Sequence, residues 1–175
     1  MKRTFAFFII AIALNVCVAQ AAQKPDFDVQ RFSAKGREAY QKLLSADIFR
    51  VGAVGYAGQT SVEELALYDL LEEKGAVEAL KGLVRGGSYE GGLYGLLGLS
   101  ITNVGEFNRA VEVYKSREPP SKRQTQSFAG LGVPAGHVTI QSGCIVSADD
   151  WLKVMARIQS GHYDRLLRRV ANVKS

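Results

Sequence analysis

Hydrophobic positions recur at helical spacing over most of this chain. In 34–46, AKGREAYQKLLSA, Ala39, Leu43 and Leu44 share one face and predict a first helix. Ser61 followed by Glu64 is a capping-box pattern: the serine oxygen accepts an amide of the first turn while the glutamate reaches back to the serine amide. It opens SVEELALYDLLEEK, which Gly75 can end, and AVEALKGLVR follows with Val77, Leu80 and Val84 on one side. Ser88 is placed to cap the next helix. Asn103 with Glu106 opens VGEFNRAVEVYKS, striped by Val104, Phe107, Val111 and Tyr114. Pro119-Pro120 stop that helix, and 116–136 is expected to be a long polar loop. The period then shortens to two. In HVTIQSGCIV, 137–146, Val138, Ile140, Ser142, Cys144 and Val146 fall on one face of a short extended segment. Ser147 can cap a last helix running to Gln159, buried through Trp151, Val154, Met155 and Ile158, with Gly161 at its end. HYDRLLRRVANVKS predicts one more short basic helix, and 48–60 has no clean period.

The stretch GGSYEGGLYGLLGLS, 86–100, holds six glycines. On a helix advancing about 100° per residue, Tyr89, Leu93, Leu96, Leu97 and Ile101 gather on one broad face and Gly91, Gly95 and Gly98 on the opposite one. Each glycine costs about 1 kcal/mol relative to alanine, so their separation from the leucines predicts helix packing, with a neighbouring backbone against the bare face. A phosphate loop fails on detail. No G-x-x-x-x-G-K-[ST] occurs, Gln59 stands where the nearest approach would need lysine, and Gly52, Gly55 and Gly58 lack dinucleotide spacing. Those three are expected in a turn.

Two of the helical segments match. LYDLL (67–71) and LYGLL (93–97) lie 26 residues apart, with Glu64 and Glu90 aligned ahead of them, and each is followed by a helix containing Ala-Val, at Ala76-Val77 and Ala110-Val111. Over about residues 61–115 the chain resembles HEAT-like αα-hairpin repeats of the α-solenoid kind. The spacing is shorter than the usual HEAT period, and two units are visible. The resemblance implies a mainly α fold with a helical-repeat core and a tendency to bind partners; it carries over no functional residue.

The N-terminus, MKRTFAFFIIAIALNVCVAQA, joins a basic start at Lys2 and Arg3 to an apolar run from Phe5 to Leu14 and a small-x-small site at Ala19-Gln20-Ala21. This predicts a cleavable leader over 1–21, export to the periplasm or cell exterior, and no membrane span after cleavage, with 22–175 as a single helical-repeat domain. Losing Lys2 and Arg3 takes the formal net charge from +5 to +3. So small an excess does not argue for nucleic acid. Cys17 would leave too, making Cys144 the one remaining cysteine, so packing rather than a disulfide must hold the fold.

Candidate chemistry is sparse. Cys144 follows Gly143 and precedes a predicted helix start, where a thiol pKa is lowered; His137 or His162 could serve as its base. Its alternation with Ile140 and Val146 instead predicts an inert, buried thiol. No metal-ligand spacing links the two histidines to Cys144, and no cofactor motif occurs, so none is expected. Glu63-Glu64 and Glu72-Glu73 are expected at solvated helix ends. Arg165, Arg168 and Arg169 sit at helical spacing in the tail, a possible contact for an acidic lipid or polymer. The expected function is a non-catalytic binding or scaffolding module for another protein or envelope component. The alternative is a small cysteine-dependent enzyme built on Cys144.

Overall fold

Side-chain oxygens mark where the helices begin, as their chemistry dictates. The computed structural model describes residues 28–124 and 132–164. Ser33 Oγ accepts the Gly36 amide at the start of α1 (Ala34–Leu44), and Ser61 Oγ the Glu64 amide at the start of α2 (Val62–Leu71). Left-handed Gly75 leads into α3 (Ala76–Gly86). Ser88 caps α4 (Tyr89–Thr102) and Asn103 caps α5 (Val104–Lys115). The last described helix, α6 (Trp151–Gln159), begins later than expected: Asp150, not Ser147, accepts its first-turn amide, from Lys153 at 2.9 Å.

The reason is a strand. The segment expected as one short extended run is a hairpin of β5 (His137–Gly143) and β6 (Ile145–Asp150), closed at Gly143 (φ 57°) and Cys144. The residues without a clean period form β1 (Phe49–Val54) and β2 (Gln59–Thr60), joined by a turn in which Gly55 and Gly58 take positive φ. In sheet order β2-β1-β5-β6, β1 runs parallel to β5, with Phe49 opposite Ile140, and antiparallel to β2. A parallel pair needs a long crossover, and α2 to α5 supply it. Within the expected loop 116–136, the two-residue strands β3 (Arg123–Gln124) and β4 (Gly132–Val133) pair as a separate ladder.

At the centre lies α4. Every residue from Glu90 to Leu99 is buried, between α3, α5, α6 and α1 and the sheet strands β1 and β5. Its glycines face different neighbours. A Cβ on Gly91 would overlap the Leu43 carbonyl of α1, and one on Gly95 would lie 2.6 Å from the Leu80 carbonyl of α3. One on Gly98 would meet the Leu80 side chain at 2.5 Å, while on the other side Gly92 abuts the Tyr114 ring. Four glycines cost about 4 kcal/mol of helix propensity. Leu93, Leu96, Leu97 and Leu99, all fully buried, each contribute about 1.5–3 kcal/mol. Burial therefore outweighs propensity in α4.

The last turn of α4 departs from the expected face, since Ile101 is exposed, as is Val104 at the start of α5. The matched segments also occupy unlike environments. α4 is enclosed all round from Glu90 to Leu99, whereas α2 leaves Val62 and Leu65 exposed. The molecule is mainly helical with a small four-stranded mixed sheet, and nothing in the described residues shows a HEAT-like repeat. No helix among them is long and apolar enough to cross a membrane.

Candidate functional site

β2 covers β1 only at Ala53 and Val54, so the edge of β1 from Arg50 to Gly52 needs other partners for its backbone groups. Helix side chains provide them. The Tyr94 hydroxyl of α4 accepts the Arg50 amide at 2.7 Å and lies 3.0 Å from the Arg50 carbonyl, to which Ser61 Oγ also donates at 3.4 Å. Glu64 Oε2 of α2 accepts the Gly52 amide at 2.6 Å, and its Oε1 accepts the Tyr68 hydroxyl at 3.2 Å. Arg50 Nη1 donates to both oxygens of Glu63 at 3.2 Å. A second buried carboxylate, Glu90, accepts the Thr139 amide at 2.8 Å and ties α4 to β5.

This corrects the expectation of solvated acids at 63–64. Glu64 is fully buried and Glu63 nearly so. It also corrects the capping box, because Glu64 does not return to Ser61 but serves the bulged strand, where the β1–β5 register shifts and Gly52 takes φ 88°. Burial raises the Glu64 carboxyl above its usual value, opposed by the hydrogen bonds from Gly52 and Tyr68. Burial likewise pushes the Tyr94 phenol well up, and raises Tyr68 with the Glu64 charge adding to it. These phenols keep their protons at neutral pH and act as hydrogen-bonding groups, not nucleophiles. The cluster is chemistry spent on closing a strand edge.

The thiol stands elsewhere. Cys144 is exposed at the β5–β6 turn, contrary to the buried face expected from its alternation. The alternation fails because the chain reverses there: the odd-numbered partner of Ile140 across the ladder is Ser147, and Cys144 lies beyond the last pair, Ser142 with Ile145. His137 pairs with Asp150 at the opposite end of the hairpin, which at about 3.3 Å per residue puts it roughly 20 Å from Cys144 along β5. The structure therefore does not bring His137 to the thiol. His162 is exposed beyond α6, edge-on to Tyr163 at 5.0 Å, and Tyr163 packs on Phe49, level with Ile140 rather than with Cys144. No group of three or more His, Cys, Asp or Glu among the described residues could hold a metal ion. Arg165, Arg168 and Arg169 lie outside the described residues, as do the leader residues 1–21.

A groove of about 370 Å³ runs between α3 and α5. Its floor is Val84 and Ala110, 1% and 5% exposed, and Val113 adds an apolar side chain that is 39% exposed. Lys81 and Arg85 line it from α3, Glu106 and Arg109 from α5. Glu106 bridges the two helices, meeting Lys81 at 3.4 Å and Arg109 at 2.6 Å. Like Glu64, Glu106 sits where a capping box would turn it back, and its side chain instead pairs with cations. The stripe read from the sequence on α3 is Val77, Leu80 and Val84, and of these only Val84 lines the groove. On α5 the lining residues Glu106, Arg109, Ala110 and Val113 lie outside the stripe of Val104, Phe107, Val111 and Tyr114, and nothing in either helix alone marks the concavity.

No family model, curated protein or solved structure matches this chain.

Proposed function

We propose that this protein is an exported, non-catalytic binding or scaffolding module, working in the periplasm or outside the cell through contact with another protein or envelope component. The observation that carries the reading is the α3–α5 groove, with apolar side chains at its base and charged ones at its rim. This is the layout by which helix pairs take a partner's side chains. The 26-residue match of LYDLL and LYGLL supports treating α2–α3 and α4–α5 as two divergent HEAT-like hairpins, so that the groove lies between their second helices.

The test is a photo-crosslinking residue at Val113 in the full chain, expressed in the native host. A discrete adduct that disappears with Ala110→Trp, which fills the groove, is expected. A well-folded protein that gives no adduct at Val113 would sink the reading.

A second reading, a cysteine-dependent enzyme, draws support from the exposure of Cys144, which a nucleophile requires. In it neither histidine stands at the thiol: His137 sits at the far end of the hairpin, and His162 lies against Tyr163, which packs level with Ile140.

A further inference from the structure

The α3–α5 groove is asymmetric in charge. Three cations, Lys81, Arg85 and Arg109, line it against one carboxylate, Glu106. That carboxylate is used internally: it holds Lys81 of α3 and Arg109 of α5 on either side of it. Lys81 is further held by Glu78 at 3.1 Å. Arg109 engages Glu106 through Nη1 while its side chain remains 75% exposed. A guanidinium carries five donors in a fixed fork, so one used nitrogen leaves capacity for a further carboxylate.

The apolar floor limits what can bind. Val84 and Ala110 are almost fully buried, so only a protruding side chain reaches them. A flat lipid surface would touch the rim cations without reaching that floor. The lining residues span one turn of α3 and two of α5, or about 10 Å of helix, which suits about two turns of a helix or a short extended run. We propose that the groove docks an acidic segment of a partner protein, with aliphatic side chains against Val84, Ala110 and Val113 and flanking carboxylates on Arg109, Arg85 and Lys81. This rests on the binding-module reading above.

The experiment has two arms on the full chain. In the host, the segment crosslinked at Val113 is sequenced by mass spectrometry. The expected segment has net negative charge with aliphatic residues between its acids, and the adduct weakens in Arg85→Glu/Arg109→Glu. In vitro, two synthetic amphipathic peptides of equal length, with leucines at i, i+3, i+4 and i+7 and either Glu or Lys elsewhere, are titrated by fluorescence anisotropy. The Glu peptide should bind the wild type more tightly, and the double charge reversal should weaken it roughly tenfold, the sum of two rim charges. That difference should shrink with added salt. Thermal melting of the double variant, whose changes are on exposed side chains, checks that it is folded. A crosslinked neutral or basic segment, a lipid adduct, or equal binding of the two peptides would overturn the acidic class while leaving the binding module standing. Absence of any groove adduct would overturn both.

Discussion

Glu64 of α2 reaches across to the bulged strand β1. Its carboxylate is buried, accepts the bulge amide of Gly52, and has its pKa raised mainly by burial. A carboxyl raised on folding contributes stability that is present below its unfolded pKa and is lost as pH rises through the folded value. Glu64→Gln keeps an oxygen for Gly52 and removes the titration. Urea denaturation between pH 4 and 7 should therefore show the stability difference moving in favour of the glutamine variant as pH rises. Movement in the opposite direction would mean that the hydrogen bonds from Gly52 and Tyr68 outweigh desolvation. Cys144 gives a second test at this scale. Exposed at a hairpin turn, it should react with a bulky maleimide in the native protein nearly as fast as in urea. For the binding module, Cys144→Ser should leave the Val113 adduct unchanged. Loss of cellular function at normal protein level, with that adduct intact, would favour the cysteine chemistry instead.

Among the elements, α4 is the one on which the others are assembled, and its glycines allow that. At Gly95 a Cβ would lie 2.6 Å from a backbone oxygen of α3, which cannot rotate away. Overpacking costs about 1–3 kcal/mol, against about 1 kcal/mol gained in helix propensity. Gly95→Ala should thus be destabilising and Gly95→Leu more so. Gly86→Ala, where a Cβ meets nothing within 4 Å, should be neutral or stabilising by up to about 1 kcal/mol. Thermal melts of the three variants check the order; a Gly95→Leu melt at the wild-type temperature would remove the close contact with α3. The β5–β6 hairpin shows the reverse relation between sequence and element. Its period-two pattern was legible, but a turn of Gly143 and Cys144 divides it, and that turn moved both the thiol and the helix start from where the pattern alone put them.

At the scale of the whole molecule, the helices, the mixed sheet and the groove belong to the segment after the expected leader. Intact-mass measurement of protein from the native host should find a chain beginning at Ala22. A chain keeping Met1 to Ala21 in the membrane fraction would overturn export as a free protein. The groove between α3 and α5 is a property of this scale alone, since Lys81 and Arg109 are held by one carboxylate although they lie on different helices.

Local chemistry was written in the sequence. Ser61, Ser88 and Asn103 start helices because their side-chain oxygens satisfy first-turn amides within three residues, and the buried stripe of Trp151, Val154, Met155 and Ile158 follows from helical period. What could not be read locally is where Glu64, Glu90 and Glu106 direct their carboxylates. Each stands near a helix start, where the adjacent backbone offers a partner, yet each binds a group distant in sequence: the Gly52 amide, the Thr139 amide and, besides its neighbour Arg109, the Lys81 ammonium. For the buried Glu64 and Glu90, the far partner is the one packed beside the carboxylate. Burial is set by packing, and so by the tertiary structure.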